Sequence, residues 1–131
     1  MPGLERFSPQ LLSVLRIMSG LLFLEHGTAK LLHIPHVATF DNPLPPMLLA
    51  AGIIEMAGGF LVAIGWFTRA AAFICSGEMA VAYFQYHVRM GRSIFPVQNE
   101  GDAAVLFCFI FLFLAAAGAG PWSVDAMRKK S

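Results

Sequence analysis

The sequence predicts an all-α, integral membrane four-helix bundle that takes up residues 1–131 as a single domain. Composition is the first ground: 57% of the residues are hydrophobic and 13% charged, against about 25% charged in soluble domains, and the mean hydropathy is +0.67. The second is pattern. Four apolar runs, at 9–32, 46–67, 69–88 and 102–120, each approach the roughly 20 residues that span a hydrocarbon layer. The third is exclusion. The runs leave no length for a soluble catalytic or nucleotide-binding domain, no internal repeat stands out, and a net charge of +1 leaves no footprint for nucleic acid.

The first run, LLSVLRIMSGLLFLEHGTAKLL, carries Arg16, Glu25, His26 and Lys30. Charge at that depth costs roughly 2.5–3.5 kcal/mol per side chain, so these groups need partners inside the protein. At helical spacing Arg16, Gly20, Gly27 and Lys30 lie within about 80° of one another, with His26 at the edge and Glu25 opposite. This is a polar seam facing a bundle. Ser8 and Pro9 are expected to cap and open the helix. A basic start before an apolar stretch also fits a signal peptide, but Arg16 breaks the apolar core and no A-x-A site follows, so the run reads as a retained helix.

The connecting segment HIPHVATFDNPLPP is an external loop, because its prolines forbid regular helix and Asn42 favours a turn. His33 and His36 have the separation of a metal pair, yet Pro35 disturbs their spacing, and interfacial histidines are the expectation. No metal site is predicted.

The second run holds one charge, Glu55, in a stripe of small residues, Ala51, Gly59 and Ala63. Such a stripe lets another backbone come close, so Glu55 faces protein; the same stripe would serve as a homodimer face. A buried carboxylate needs a cation, and Arg16 and Lys30 are available. The short turn at Trp66–Arg69 makes the second and third runs antiparallel neighbours. The third run places Glu78 near its middle, with Gln85 and Arg89 on that face, and Met79, Tyr83 and His87 on a stripe about 140° away. Tyr83 and Tyr86 suit an interfacial belt. Asp102 stands where a helix cap is expected. The fourth run has no charge, and its alternating Phe107, Phe109, Phe111 and Phe113 suit a lipid-facing helix that stops at Gly120-Pro121. Cys75 and Cys108, counted from the starts of antiparallel helices, should differ in depth by about 12 Å, too far for a disulfide.

Arg6, Arg69, Arg128, Lys129 and Lys130 fall on one side of this arrangement, and Lys30, Arg89 and Arg92 on the other. Both termini are therefore expected in the cytoplasm.

The external half of the bundle then collects Glu55, His26, Lys30 and His87, with Glu78 near the midplane and Arg16 toward the cytoplasm. That ladder can pack the bundle, carry protons or hold a polar headgroup. A quinone site needs donors for its carbonyls, an acid or histidine to exchange protons and an apolar cleft for the tail, and the chain supplies all three. A haem between His26 and His87 is the third reading, though nothing demands one. Nucleophilic hydrolysis has no support, since no Ser or Cys is placed beside a His and an acid.

The segments RIMSGLLFLEHGTAKL, IIEMAGG, GWFTRAAA, AYFQYH, NEGDAAVLF and AAGAGPWSVD together resemble the DoxX family of small four-helix membrane proteins. Where the family pattern is closer to N-G-G-E, this chain has Glu100 at a glycine position and Asp102 at a glutamate position. The resemblance implies a small hydrophobic subunit in the plasma (inner) membrane of a bacterium or archaeon. It also implies association with quinone-linked oxidoreductase partner subunits of a thiosulfate or thiol type. Arg16, His26, Lys30, Glu55, Arg69, His87 and Asn99 are the characteristic positions it carries over. The combined expectation makes Glu55 and His26 the proton-exchanging, catalytic residues. Arg16, Lys30, His87, Glu78 and Asn99 are the ligand-binding ones, and quinone is the cofactor expected. The competing class is a non-catalytic anchor or scaffold for redox or stress-response partners, with a transporter third.

Overall fold

The computed structural model describes residues 2–129, and among them the chain is helical with no strand. A 3₁₀ turn, Glu5–Phe7, leads into α1, Ser8–Leu31. Ser8 is not the acceptor cap expected of it. It is already helical, and its hydroxyl donates back to the Glu5 carbonyl at 2.7 Å, while Pro9 takes a first-turn position that needs no N–H. Helix α2, Pro46–Ile64, likewise opens on proline. It ends at Gly65, whose φ of +74° lets Gly65 and Trp66 return N–H bonds to Val62 and Leu61.

The third helix, α3, runs from Thr68 to Ala82, widens into a π-helical stretch at Tyr83–Val88, and closes with Arg89–Gly91. A single turn, α4 (Pro96–Asn99), precedes α5, Asp102–Ala117, and a short α6, Val124–Lys129, follows the Gly120-Pro121 stop. Asp102 makes no side-chain cap bond on α5; its place in the first turn still complements the helix dipole.

The helices pair off, α1 with α2 and α3 with α5, and α2 joins the pairs through α3. The first pair is exceptionally close. A Cβ on Gly20 would lie 2.5 Å from the Ala63 nitrogen, one on Gly27 2.4 Å from the Met56 nitrogen, and one on Gly59 2.6 Å from the Leu24 nitrogen. Gly59 and Ala63, two of the three small residues of the stripe, are thus used within the chain against α1. The seam residues Arg16, Gly20 and Gly27 are buried and Glu25 is exposed, as the helical spacing requires.

In the second pair, α5 is not wholly outward-facing. Phe111 and Leu114 are buried, and Phe111 packs edge-on against Phe23 at 4.8 Å, whereas Phe109 and Phe113 face out. The cysteines are also closer in level than residue counting implies. Ser76, next to Cys75, donates to the Cys108 carbonyl at 2.7 Å, because α5 is a short helix of 16 residues. Both thiols are free; Cys75 points toward Gly58 on α2, where a Cβ would come within 2.5 Å of its sulfur.

One end of the bundle is tied by side chains to backbone. Arg16, buried to 1% exposure, donates to the Ala119 carbonyl, to Trp122 at 2.7 Å and to Ala63 at 3.4 Å. Arg69 donates to the Ala116 and Ala115 carbonyls at the end of α5, where a cation complements the helix dipole. Asp125 accepts the N–H groups of Phe67 and Thr68, each at 3.0 Å, and so caps α3 from a distance. Lys130, counted above among the cations of this end, lies outside the described residues.

Partial burial alone would raise the Asp125 pKa, but the hydrogen bonds from Thr68 and Phe67, helped by Lys129, outweigh it and hold the pKa below its ordinary value. Its stabilisation is therefore complete above the unfolded carboxyl's value of about 3.9 and is lost as pH falls through the lower folded value. Asp125→Asn should lower the melting temperature in detergent at pH 7 and flatten its decline below about pH 4, measured by thermal scans from pH 3 to 7. Gly27→Ala should separate α1 from α2 and cost about 1–3 kcal/mol, read in the same scans.

Candidate functional site

At the end opposite Arg16, a cavity of about 780 Å³ lies between the two helix pairs. Its walls are mostly apolar: Phe23 and Phe107 at the back, Leu48, Ala51 and Ile54 from α2, and Ile74, Val81 and Ala82 from α3. Into it turn His26, Lys30, Glu55, Glu78 and His87, so the structure brings together five of the side chains singled out in the sequence.

Lys30 and Glu55 form its core. Gly27 and Gly52 let α1 and α2 touch one turn away, and the Lys30 ammonium donates to Glu55 Oε1 at 2.5 Å. Glu55 is 2% exposed, and the paired side chains retain 10% and 3% of their surface. The same ammonium sits 5.3 Å from the centre of the Phe40 ring. The ring is brought there by the 3₁₀ turn Ala38–Phe40 of the proline-rich loop.

Glu78 adds a second acid. Its carboxyl shares a hydrogen bond with that of Glu55 and feels the Lys30 charge; no other group meets its buried oxygens. One lysine thus faces two carboxyls in a largely apolar chamber, and Glu100 joins the rim as a third. A buried acceptor without a donor is costly to a fold, so such groups mark places where a further molecule or a proton is expected.

The histidines flank this group. His26 Nδ1 meets the Leu22 carbonyl at 2.8 Å, and its ring stands edge-on to Phe107 at 5.9 Å. His87 Nδ1 meets the Asn99 carbonyl at 3.1 Å. Straight α-helical counting puts His87 and Glu78 on different faces of α3. The structure corrects this: the π stretch adds a residue to one turn, and Gln85, Tyr86 and His87 all reach the cavity that Glu78 lines. Gln85, Tyr86, Glu100, Phe40 and Phe107 were not singled out as site residues. Gln85 already lies on the Glu78 face by plain helical counting; Tyr86 is brought in by the π turn, which has no signature in composition or spacing, and Phe40, Glu100 and Phe107 come from the loops and α5.

Arg16 and Asn99 do not line the cavity. Arg16 is committed to backbone carbonyls at the other end. Asn99, buried, is a pin for the 92–101 loop. Its Nδ2 donates to the Tyr83 hydroxyl at 3.1 Å and to the Ser93 carbonyl at 2.9 Å, and its Oδ1 accepts from Gly101 N–H at 2.8 Å. Tyr83, buried and donating to the Ile94 carbonyl, belongs to this pin and not to an interfacial belt. Near the cavity mouth a second hollow of about 290 Å³, lined by Lys30, His33, Phe40 and Asp41, lies under the proline-rich loop that follows α1. His36 there pairs with Asp41 at 2.7 Å and not with His33. Among the described residues no group of three or more His, Cys, Asp or Glu side chains is placed to hold a metal ion.

Fold and site together define a class: a small all-helical bundle of two tightly joined pairs, with a single-cation, multi-acid cluster in an apolar chamber between them. The chain belongs to the DoxX family. The family's model matches residues 11–88, which include every candidate on α1, α2 and α3 and end before the Asn99–Asp102 segment where the motif departs from the family pattern. The chain is also similar to an uncharacterized protein of Haemophilus influenzae, 45% identical over 128 residues, covering 95% of this chain and 96% of the relative. No solved structure matches it.

Removing one partner of a buried ion pair leaves the other charge uncompensated and costs about 3–5 kcal/mol, whereas replacing both with apolar groups is often neutral. Lys30→Met should therefore lower the melting temperature sharply, and Lys30→Met combined with Glu55→Leu should recover most of the loss. Melting in detergent, followed by fluorescence, reads both.

Proposed function

We propose that the chain is a four-span protein of the plasma (inner) membrane, with both termini cytoplasmic, and a membrane subunit of a quinone-linked oxidoreductase of the thiosulfate or thiol type. Membrane insertion is supported by what the helices show outward. Large apolar side chains such as Ile53, Phe60, Phe73, Phe109 and Phe113 are exposed along α2, α3 and α5, while Arg16, Lys30 and Glu55 turn inward. Contiguous apolar exposure of this kind is rare on soluble monomers. Helices α1 and α2 are long and apolar enough to cross a bilayer. Helix α3 with its π stretch matches them in length, and the 16 residues of α5 reach about 24 Å. Arg6, Arg69, Arg128 and Lys129 supply the cytoplasmic positive charge.

The observation that carries the functional reading is the cavity. Its volume suits a small-molecule ring with the start of a tail, its walls are apolar, and its polar groups converge at one place. In this reading Lys30 and Glu55 orient the polar head. Glu78, Glu55 and His26 exchange protons with it, and the family's association with quinone-linked enzymes supplies the ligand class. Partner subunits would carry the thiol or thiosulfate chemistry.

Protein purified in mild detergent from wild-type and Glu55→Gln cells, extracted and analysed by mass spectrometry for lipophilic molecules, tests this. A quinone near stoichiometric amounts in the wild type and depleted in Glu55→Gln is the expected result. Equal trace amounts in both would refute the quinone site and leave the anchor or scaffold reading.

A further inference from the structure

The sides of the bundle close around the cavity to different degrees. Between α1 and α2 the backbones touch, and a Cβ on Gly27 would lie 2.9 Å from the Gly52 carbonyl oxygen. Between α1 and α5, Phe23 packs on Phe107 at 5.5 Å and His26 stands edge-on to the same ring. Between α3 and α5, Ser76 donates to the Cys108 carbonyl, and nearer the outer end Asn99 donates to Tyr83.

The side between α2 and α3 is closed at the level of Gly58, where a Cβ would come within 2.5 Å of the Cys75 sulfur. Toward the outer end two apolar stripes border the cavity, Met47, Ala50 and Ile54 on α2 and Ile74, Gly77 and Val81 on α3. Each stripe has the spacing i, i+3, i+7 and therefore runs along one edge of its helix. Met47, Ile74 and Val81 are more than half exposed, and Ala50 and Gly77 are exposed as well. A residue that lines a cavity and is also exposed stands at an opening. A Cβ on Gly77 would meet nothing within 4 Å, so this glycine, unlike Gly20, Gly27 and Gly59, leaves space empty instead of admitting a neighbouring backbone. Glu55, 2% exposed, lies inward of these edges.

The opening at the end of the bundle is different in kind. Lys30 and Glu100 line it, and the Phe40 ring lies over the Lys30 ammonium, so a hydrocarbon chain leaving that way would pass charged groups.

We propose that the slot between α2 and α3 is a lateral port to the bilayer. The ligand enters sideways from the lipid, its polar head reaches Lys30, Glu55 and Glu78, and its hydrocarbon chain lies in the slot along Ile54, Ile74 and Val81, with Gly77 leaving it room. The inference rests on the quinone-linked reading for the head group. It adds that the ligand is a lipid-dissolved molecule with a chain that a water-soluble substrate lacks.

The test is photo-crosslinking of the full-length protein in lipid nanodiscs by a decyl-benzoquinone that carries a diazirine midway along its chain. Labelled residues are mapped by mass spectrometry with and without excess decyl-benzoquinone as competitor. Labelling of the two stripes that the competitor abolishes is the expected result. Gly77→Phe should lose this labelling, whereas Ala57→Phe, which adds the same ring to an exposed position of α2 away from the cavity, should keep it. If either variant misfolds, the wild-type map decides alone. Competed labelling at Phe40, Pro45 or Met90 in place of the stripes, or stripe labelling that survives Gly77→Phe, would overturn the port and leave the quinone-linked reading intact. Labelling that the competitor reduces nowhere, as from bilayer contact alone, would overturn both.

Discussion

Helices α1 and α2 meet backbone to backbone, and most of the remaining architecture depends on that contact. Gly20 and Gly27 on one side and Gly52 and Gly59 on the other leave no space between them for even a methyl group. Only at such a distance does a lysine on α1 reach a carboxylate on α2 without bending either helix. Because these two helices are so close, the bulk of the interior has to be supplied by the other pair. Phe107, Phe111 and Leu114 of α5 fill one end, together with Phe23. At the other end the side chains are smaller, and the cavity is the space they do not fill.

The two ends of the bundle treat polar groups in opposite ways. At the Arg16 end, the charged side chains find backbone partners. Arg16 and Arg69 donate to the carbonyls that end α5 and the segment beyond it, and Asp125 accepts from the start of α3. These bonds join segments 47 to 106 residues apart and hold the bundle shut. At the Lys30 end, one cation is shared among several acids, which meet one another instead of backbone. Buried polar atoms without a donor or acceptor are found at both ends, Arg16 Nε and Gln10 Oε1 among them.

Much of this could be read from residue order. The seam of Arg16, Gly20, Gly27 and Lys30 follows from helical spacing, and the small residues around Glu55 indicate that it meets protein. The partners of Arg16 were not legible, because backbone carbonyls at Ala119 and Trp122 leave no mark in the side-chain pattern. Neither was the union of Glu78 with His87, which depends on one widened turn, nor the shared level of Ser76 and Cys108, which depends on where a short helix stops. Asn99 stands out in the motif for a different reason than ligand binding: two of its neighbours, Gly91 and Gly101, are glycines because a Cβ on either would strike it.

The π stretch at Tyr83–Val88 bears on how such a sequence can vary over evolutionary time. In an ordinary helix a one-residue insertion or deletion turns everything beyond it by about 100° and scrambles the packing that follows. Here the helix already carries the surplus residue. Its loss would leave an unbroken α-helix in which His87 no longer faces Glu78 and the Asn99 loop no longer meets Tyr83. The extra residue, the histidine and the loop anchor therefore depend on one another. A lineage that sheds the first has little reason to keep the other two.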